Sequence, residues 1–138
     1  MYESEYYIYD IIKNNPVLTK KDLDKLILEY KKTGDNLIHD KIILSNAGLV
    51  LRIAQKFSFG CPGIDIADLF HEGIKGLIEA LGRFELSYQT AFSTYATPWI
   101  KKIYPRICKL LRNDNTSLSY RRSQKENRAT LSGILSFI

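Results

Sequence analysis

Phe92-Ser93-Thr94-Tyr95-Ala96-Thr97-Pro98-Trp99-Ile100-Lys101-Lys102-Ile103-Tyr104-Pro105-Arg106-Ile107-Cys108-Lys109-Leu110-Leu111 is the stretch whose reading decides the fold. Trp99, Ile100, Ile103, Tyr104, Ile107, Leu110 and Leu111 recur at the spacing of one helix face. Lys101, Lys102, Arg106, Lys109 and Arg112 fall largely between them. One helix from about Ala91 to Leu111 can therefore be anchored on its apolar side while its cations meet successive phosphates. Pro98 and Pro105 each remove a backbone donor and crowd the preceding turn. They predict a break or kink before Pro98 and an irregularity near Pro105.

The same periodicity extends upstream. Asp65 is placed to cap a helix through Leu69, Phe70, Ile74, Leu77, Ile78 and Leu81, with Asp68 adding a favourable charge to its first turn and Gly82 as its stop. Before it, Gly60-Cys61-Pro62-Gly63 reads as a loop. A longer helix starts at Asp35 or Asn36 and carries Ile42, Ile43, Leu49, Val50, Ile53, Ala54 and Phe57. Thr19, with Asp22 three residues on, caps a further helix whose stripe is Leu23, Leu26, Ile27 and Tyr30. Lys31 and Lys32 suit the negative end of that helix, and Gly34 ends it. The tyrosine-rich residues 2–15 close on the breaker Asn14-Asn15-Pro16. Strand signals are weak throughout. The expected architecture is all-α, a compact bundle of about four to five helices.

Composition narrows the function. Hydrophobic residues make up 45% of the 138, enough for one ordinary core. No apolar run is long enough to span a membrane, and the N-terminus has no basic leader or apolar stretch, so neither a membrane span nor a signal peptide is expected. Cys61 and Cys108 form no disulfide framework and, with His39 and His71, no metal-ligand spacing. A reduced, cytoplasmic setting without metal or cofactor is expected. The net charge of +5 is unevenly spread. Residues 1–90 hold 11 Lys/Arg against 13 Asp/Glu, and residues 91–138 hold 9 against 2. A basic C-terminal third on a near-neutral body is the footprint of a polyanion partner, although a solvated basic surface has the same composition.

Aromatic rings sharpen that reading. Tyr88, Phe92, Tyr95 and Trp99 precede or enter the basic helix at intervals of four, three and four. Rings beside cations suit single-stranded DNA, whose bases stack on the rings while its phosphates meet the ammonium groups. An aromatic stripe at helical spacing also serves as core, an alternative that weighs more on Phe92 than on Tyr95. Ser93 and Thr94 suit either phosphate bonding or helix capping. Asp68, His71, Glu72 and Lys75 form a separate polar stripe that suits a protein partner with a basic surface. Asp68, Glu72 and Glu79 converge on no nucleophile or base, so no enzymatic activity is expected.

These residues resemble conserved region 2 of the bacterial sigma factors. The resemblance rests on Asp68-Leu69-Phe70-His71-Glu72-Gly73, Gly76-Leu77-Ile78-Glu79-Ala80, Arg83-Phe84, Phe92-Ser93-Thr94-Tyr95-Ala96 and Trp99-Ile100, and covers about residues 17–115. It implies a sigma-70-type division of the chain: a region 1.2-like helical segment over 1–36, the core-binding and −10-recognition domain over 37–115, and a basic tail over 116–138 as a candidate start of region 3. It implies that Asp68, His71, Glu72 and Ile78 bind the clamp helices of the largest subunit of core RNA polymerase. His71 stands where many members have Gln. It implies that Tyr95 stacks on an unpaired adenine of the −10 non-template strand, that Trp99 wedges against the last base pair, and that Thr94 bonds the backbone beside Phe92. Lys101 and Arg106 fall at phosphate-binding positions and Lys102 at a reader of the duplex edge, with Lys109 on the same basic face. Pro98 replaces the first of two tryptophans found in housekeeping members, and Pro105 occupies another base-reading position. The chain is expected to lack the C-terminal domain that reads the −35 element. The implied function is a transcription initiation module that binds core polymerase and melts the −10 element. The alternative is a truncated sigma-like regulator that binds polymerase or an anti-sigma factor without full promoter recognition.

Overall fold

Three helix starts are set by side chains that accept backbone hydrogen bonds. In the computed structural model, which describes residues 3–59 and 64–111, Thr19 Oγ1 accepts from the N–H of Asp22 at 3.2 Å, Asp35 Oδ1 from Leu37 at 2.8 Å and Asp65 Oδ1 from Ala67 at 3.1 Å. Each satisfies a donor that has no partner within its helix. Gly34 adopts the left-handed conformation, φ 66°, and its N–H bonds the Tyr30 carbonyl at 2.8 Å, which closes the second helix as the sequence predicts. The described residues form seven α-helices and one 3-10 turn, with no strand. They are α1 (Glu3–Asn14), α2 (Lys20–Thr33), α3 (Asn36–Ser45), α4 (Ala47–Ser58), α5 (Ile66–Arg83), the turn Leu86–Tyr88, α6 (Phe92–Lys101) and α7 (Tyr104–Leu111). The loop 60–63, Arg112 and the basic tail 116–138 lie outside the described residues.

The bundle is all-helical as expected, but more finely divided. The long helix expected from Asp35 to Phe57 breaks at Asn46, whose side-chain amide donates to the Ile42 carbonyl at 2.8 Å while its own N–H bonds Ile43 at 3.1 Å. Ser45 Oγ also donates to Ile42, at 2.9 Å. Such local side-chain bonds compete with the helical ladder. The expected break before Pro98 does not occur. α6 runs continuously through Pro98, where Thr97 Oγ1 donates to the Ser93 carbonyl at 2.7 Å and the Lys102 N–H reaches the Pro98 carbonyl at 3.0 Å. The interruption comes later, at Lys102-Ile103, and Pro105 then sits in the first turn of α7, where a missing N–H costs least. α5 continues one residue past the expected stop at Gly82. Cys108 is disulfide-bonded, which corrects the expectation of unpaired thiols, because pairing depends on proximity in space that sequence spacing does not reveal.

α5 is the hub. Ala67, Leu69, Phe70, Ile74, Leu77, Ala80 and Leu81 are buried, and they join Ile8, Ile11, Ile27, Ile42, Val50, Phe84, Phe92 and Ile100 in one core. Two glycines let α5 pack closely on its neighbours, Gly76 against α6 and Gly73 against α4 and α7. A Cβ on Gly76 would lie 2.8 Å from the Trp99 carbonyl oxygen and 3.1 Å from Ile100 Cα. A Cβ on Gly73 would collide with the Tyr104 hydroxyl and with Val50.

Tyr104 is fully buried at that seam, and its hydroxyl is the one buried side-chain oxygen or nitrogen without a partner among the described residues. Burial, and secondarily the Glu72 charge, push its ionisation far above the ordinary tyrosine range. Removing a buried, unpaired hydroxyl relieves a desolvation cost of about 1–3 kcal/mol. Tyr104→Phe is therefore expected to raise the urea midpoint. Because the folded state favours the neutral phenol, the contribution of this group is fully present below the unfolded value of about 10 and lost as pH rises above it. The wild-type chain should lose stability faster than Tyr104→Phe above that pH. A lower midpoint for Tyr104→Phe would mean that the hydroxyl is bonded after all.

Candidate nucleic-acid interface

The aromatic residues converge because the chain turns sharply after α5. Phe84 leaves the helix in an extended conformation (φ −71°, ψ 140°), and Gln89, with φ 55°, reverses the backbone after the 3-10 turn. This brings α6 back beside the end of α5. Phe84 is buried, with ring centroids 5.2 Å from Phe92, 5.2 Å from Tyr95 and 6.1 Å from Tyr88. On this floor lies a ladder that reaches the surface. Tyr88 and Tyr95 are 5.6 Å apart, and Tyr95 and Trp99 6.2 Å. Tyr88 is exposed, while Tyr95 and Trp99 are partly buried.

Two cations pack on the end of the ladder. The Arg83 guanidinium lies 5.2 Å from the Trp99 ring centroid, and Lys102 Nζ 5.4 Å. Both are within cation–π range, where an exposed contact contributes about 0.5–1 kcal/mol. Lys101, Arg106 and Lys109 are exposed. Thr94 is exposed with Ser93 on the first turn of α6, and together with Asn46, Leu49, Arg52 and Thr97 they line a cleft of mixed character, about 620 Å³. Phe92, by contrast, is buried against Phe84 and offers no face to a base. As the first apolar residue of α6 it fills the corner left by α5.

The stripe on α5 divides in the same way. Asp68 and Glu72 are partly buried, and Glu72 is bonded to Lys75 at 3.1 Å. Ile78 is exposed on the same helix. His71 points inward: one ring nitrogen bonds the Ala67 carbonyl, and Nε2 lies 2.8 Å from the hydroxyl of Tyr7 on α1. It is buried and links two helices, unlike Glu72 and Ile78 of the same stripe. Glu72 and Lys75 share a cleft of about 580 Å³ with Trp99, Lys102 and Arg106, which brings the α5 stripe next to the basic helix. Sequence spacing does not show this adjacency.

Arg83 is not among the site residues that the sequence suggests. Its only signal there is its place directly before Phe84, and the contact with Trp99 arises from the turn between α5 and α6. Tyr88 belongs to the aromatic series, but the sequence gives it no role of its own. Among the described residues there is no cluster of ligands able to hold a metal, and no helix long and apolar enough to cross a membrane.

Residues 42–126 match the family model for Sigma-70 region 2. The RNA polymerase sigma-G factor of Bacillus subtilis (strain 168) is 35% identical over 100 residues, which cover 72% of this chain and 36% of that protein. The RNA polymerase sigma-F factor of Priestia megaterium is 36% identical over 114 residues, covering 83% of this chain and 42% of that protein. The RNA polymerase sigma factor RpoD of Helicobacter pylori (strain 26695) is 43% identical over 86 residues, covering 59% of this chain and 12% of that protein. The chain thus spans less than half the length of these curated relatives. The family match takes in more than half of the chain, from α4 through α7 with both motif-bearing helices, and on that ground the chain belongs to the sigma-70 region 2 family.

Proposed function

We propose that this chain is a transcription initiation module that binds core RNA polymerase through α5 and recognises and melts the −10 promoter element through α6 and the basic helix beyond it. The observation that carries the reading is the Tyr88–Tyr95–Trp99 ladder with Arg83 and Lys102 packed on Trp99. Rings that reach the surface beside exposed cations suit unpaired bases and their phosphates. Tyr95 takes the flipped base, Trp99 abuts the last base pair, and Thr94 bonds the strand. Lys101, Lys102, Arg106 and Lys109 meet phosphates or the duplex edge. Phe92 supports the ladder from below.

No covalent chemistry is required. Each captured base contributes about 1–3 kcal/mol, and opening one DNA step costs about 1.4 kcal/mol. One or two captured bases therefore offset the local melting they accompany, while the cations hold the strand in register. Asp68, Glu72 and Ile78 form the polymerase-facing contacts, without His71. The work would take place in the cytoplasm, where polymerase and promoter meet. Binding of a single strand should weaken steeply with salt, since each phosphate contact releases counterions.

The test is Glu72→Lys. A rim charge reversal against a basic partner should weaken binding to core polymerase by about tenfold or more, read by co-migration or fluorescence titration with purified core enzyme. Unchanged polymerase binding would remove α5 as the docking face.

A further inference from the structure

We propose that Lys31, on α2, is a positioning residue for the aromatic ladder, holding the last turn of α5 where Arg83 and Phe84 meet Trp99 and Tyr95. The inference rests on reading the ladder as the surface that handles unpaired DNA.

From sequence, Lys31 complements the end of its own helix. In the fold its Nζ donates instead to the carbonyls of Leu81, at 3.0 Å, and Gly82, at 3.3 Å, in the last turn of α5. The final carbonyls of a helix lack N–H partners and carry the negative end of its dipole, so an ammonium group is the complementary cap. The Ala80 carbonyl is already served by the Phe84 N–H at 2.8 Å. Lys31 takes the next two. The base of the ladder comes directly after those carbonyls in the chain: Arg83 lies 5.2 Å from the Trp99 ring, and Phe84 lies 5.2 Å from that of Tyr95. α2 also packs against the 3-10 turn that carries Tyr88. The second helix therefore braces this corner at two points. A swing of the last α5 turn would move Arg83 and Phe84 together and shift both rings that face the strand.

The sequence provides a direct probe, because Trp99 is the only tryptophan. The test compares the full chain with Lys31→Met, Lys31→Arg and the equal charge loss Lys32→Met. It measures acrylamide quenching of Trp99 and binding of a labelled, A·T-rich single-stranded oligonucleotide over a series of salt concentrations. Lys31→Met should make Trp99 more accessible and weaken binding by about three- to tenfold, a partial loss of base stacking. The salt slope should not change, because no phosphate contact is removed. Lys31→Arg should restore both readouts, and Lys32→Met should leave Trp99 quenching as in the wild type. A slope reduced by about 0.7 for Lys31→Met would make Lys31 a direct phosphate contact and overturn the proposal. So would unaltered Trp99 quenching, or an equal effect of Lys32→Met on both readouts. If the wild-type chain bound no single strand, the reading of the ladder would fail, whereas the Trp99 quenching series would still decide whether Lys31 positions it.

Discussion

Gly76→Ala is expected to destabilise the fold by about 1–3 kcal/mol through overpacking, and Gly82→Ala, on the same helix, to stabilise it by about 0.5–1 kcal/mol. Helix propensity alone gives both substitutions the same favourable sign. The difference lies in what the added methyl would meet. At Gly76 it would press on the Trp99 carbonyl and the Ile100 Cα, which are backbone atoms that cannot rotate away. Relief would require α5 and α6 to separate, and that would loosen Phe84, Tyr95 and Trp99 together. At Gly82 nothing lies within 4 Å of an added Cβ, and the backbone is not left-handed there. Urea midpoints of the two variants measured side by side decide the matter. A Gly76→Ala chain as stable as the wild type would mean that α5 and α6 are not in backbone contact.

Tyr95→Ala is expected to reduce promoter opening by roughly five- to 150-fold, the equivalent of about 1–3 kcal/mol for one stacked base. Tyr95→Phe should retain most of the activity, since the ring rather than the hydroxyl makes the stack. The readout is permanganate reactivity of unpaired thymines on promoter DNA carrying core polymerase and the full chain. Tyr95 lies among Phe84, Tyr88 and Trp99 and does not line the cleft of Glu72 and Lys75, so polymerase binding should be unaffected. Wild-type opening by Tyr95→Ala would end the melting role. Wild-type opening combined with loss of polymerase binding in Glu72→Lys would instead point to a chain that acts through the polymerase alone.

Much of the local structure is legible in the sequence because it depends on near neighbours. Thr19, Asp35 and Asp65 cap helices through hydrogen bonds that span two or three residues, and Gly34 ends α2 through its own φ. Proline is the less reliable guide. Its missing donor at Pro98 is tolerated within α6, whereas the irregularity expected near Pro105 does occur, at Lys102-Ile103 just before it. Asn46 has the place of an interior helix residue in the apolar pattern, although its side chain competes for the Ile42 carbonyl and divides α3 from α4.

The candidate site divides along a similar line. Its cations, rings and carboxylates, and the motifs that carry the family assignment, are visible in the chain itself, because residue type and helical spacing alone place them on particular helices. Burial is not visible there. Phe92 and His71 occupy motif positions, yet one fills the corner under Phe84 and the other joins α5 to Tyr7. Arg83 on Trp99, Lys31 on the end of α5 and the cleft shared by Glu72 and Trp99 are likewise products of packing. Each joins residues from different helices: the close approach of α5 and α6 at Gly76, with the reversal at Gln89, brings Arg83 and Glu72 beside Trp99, and the packing of α2 against the end of α5 brings in Lys31.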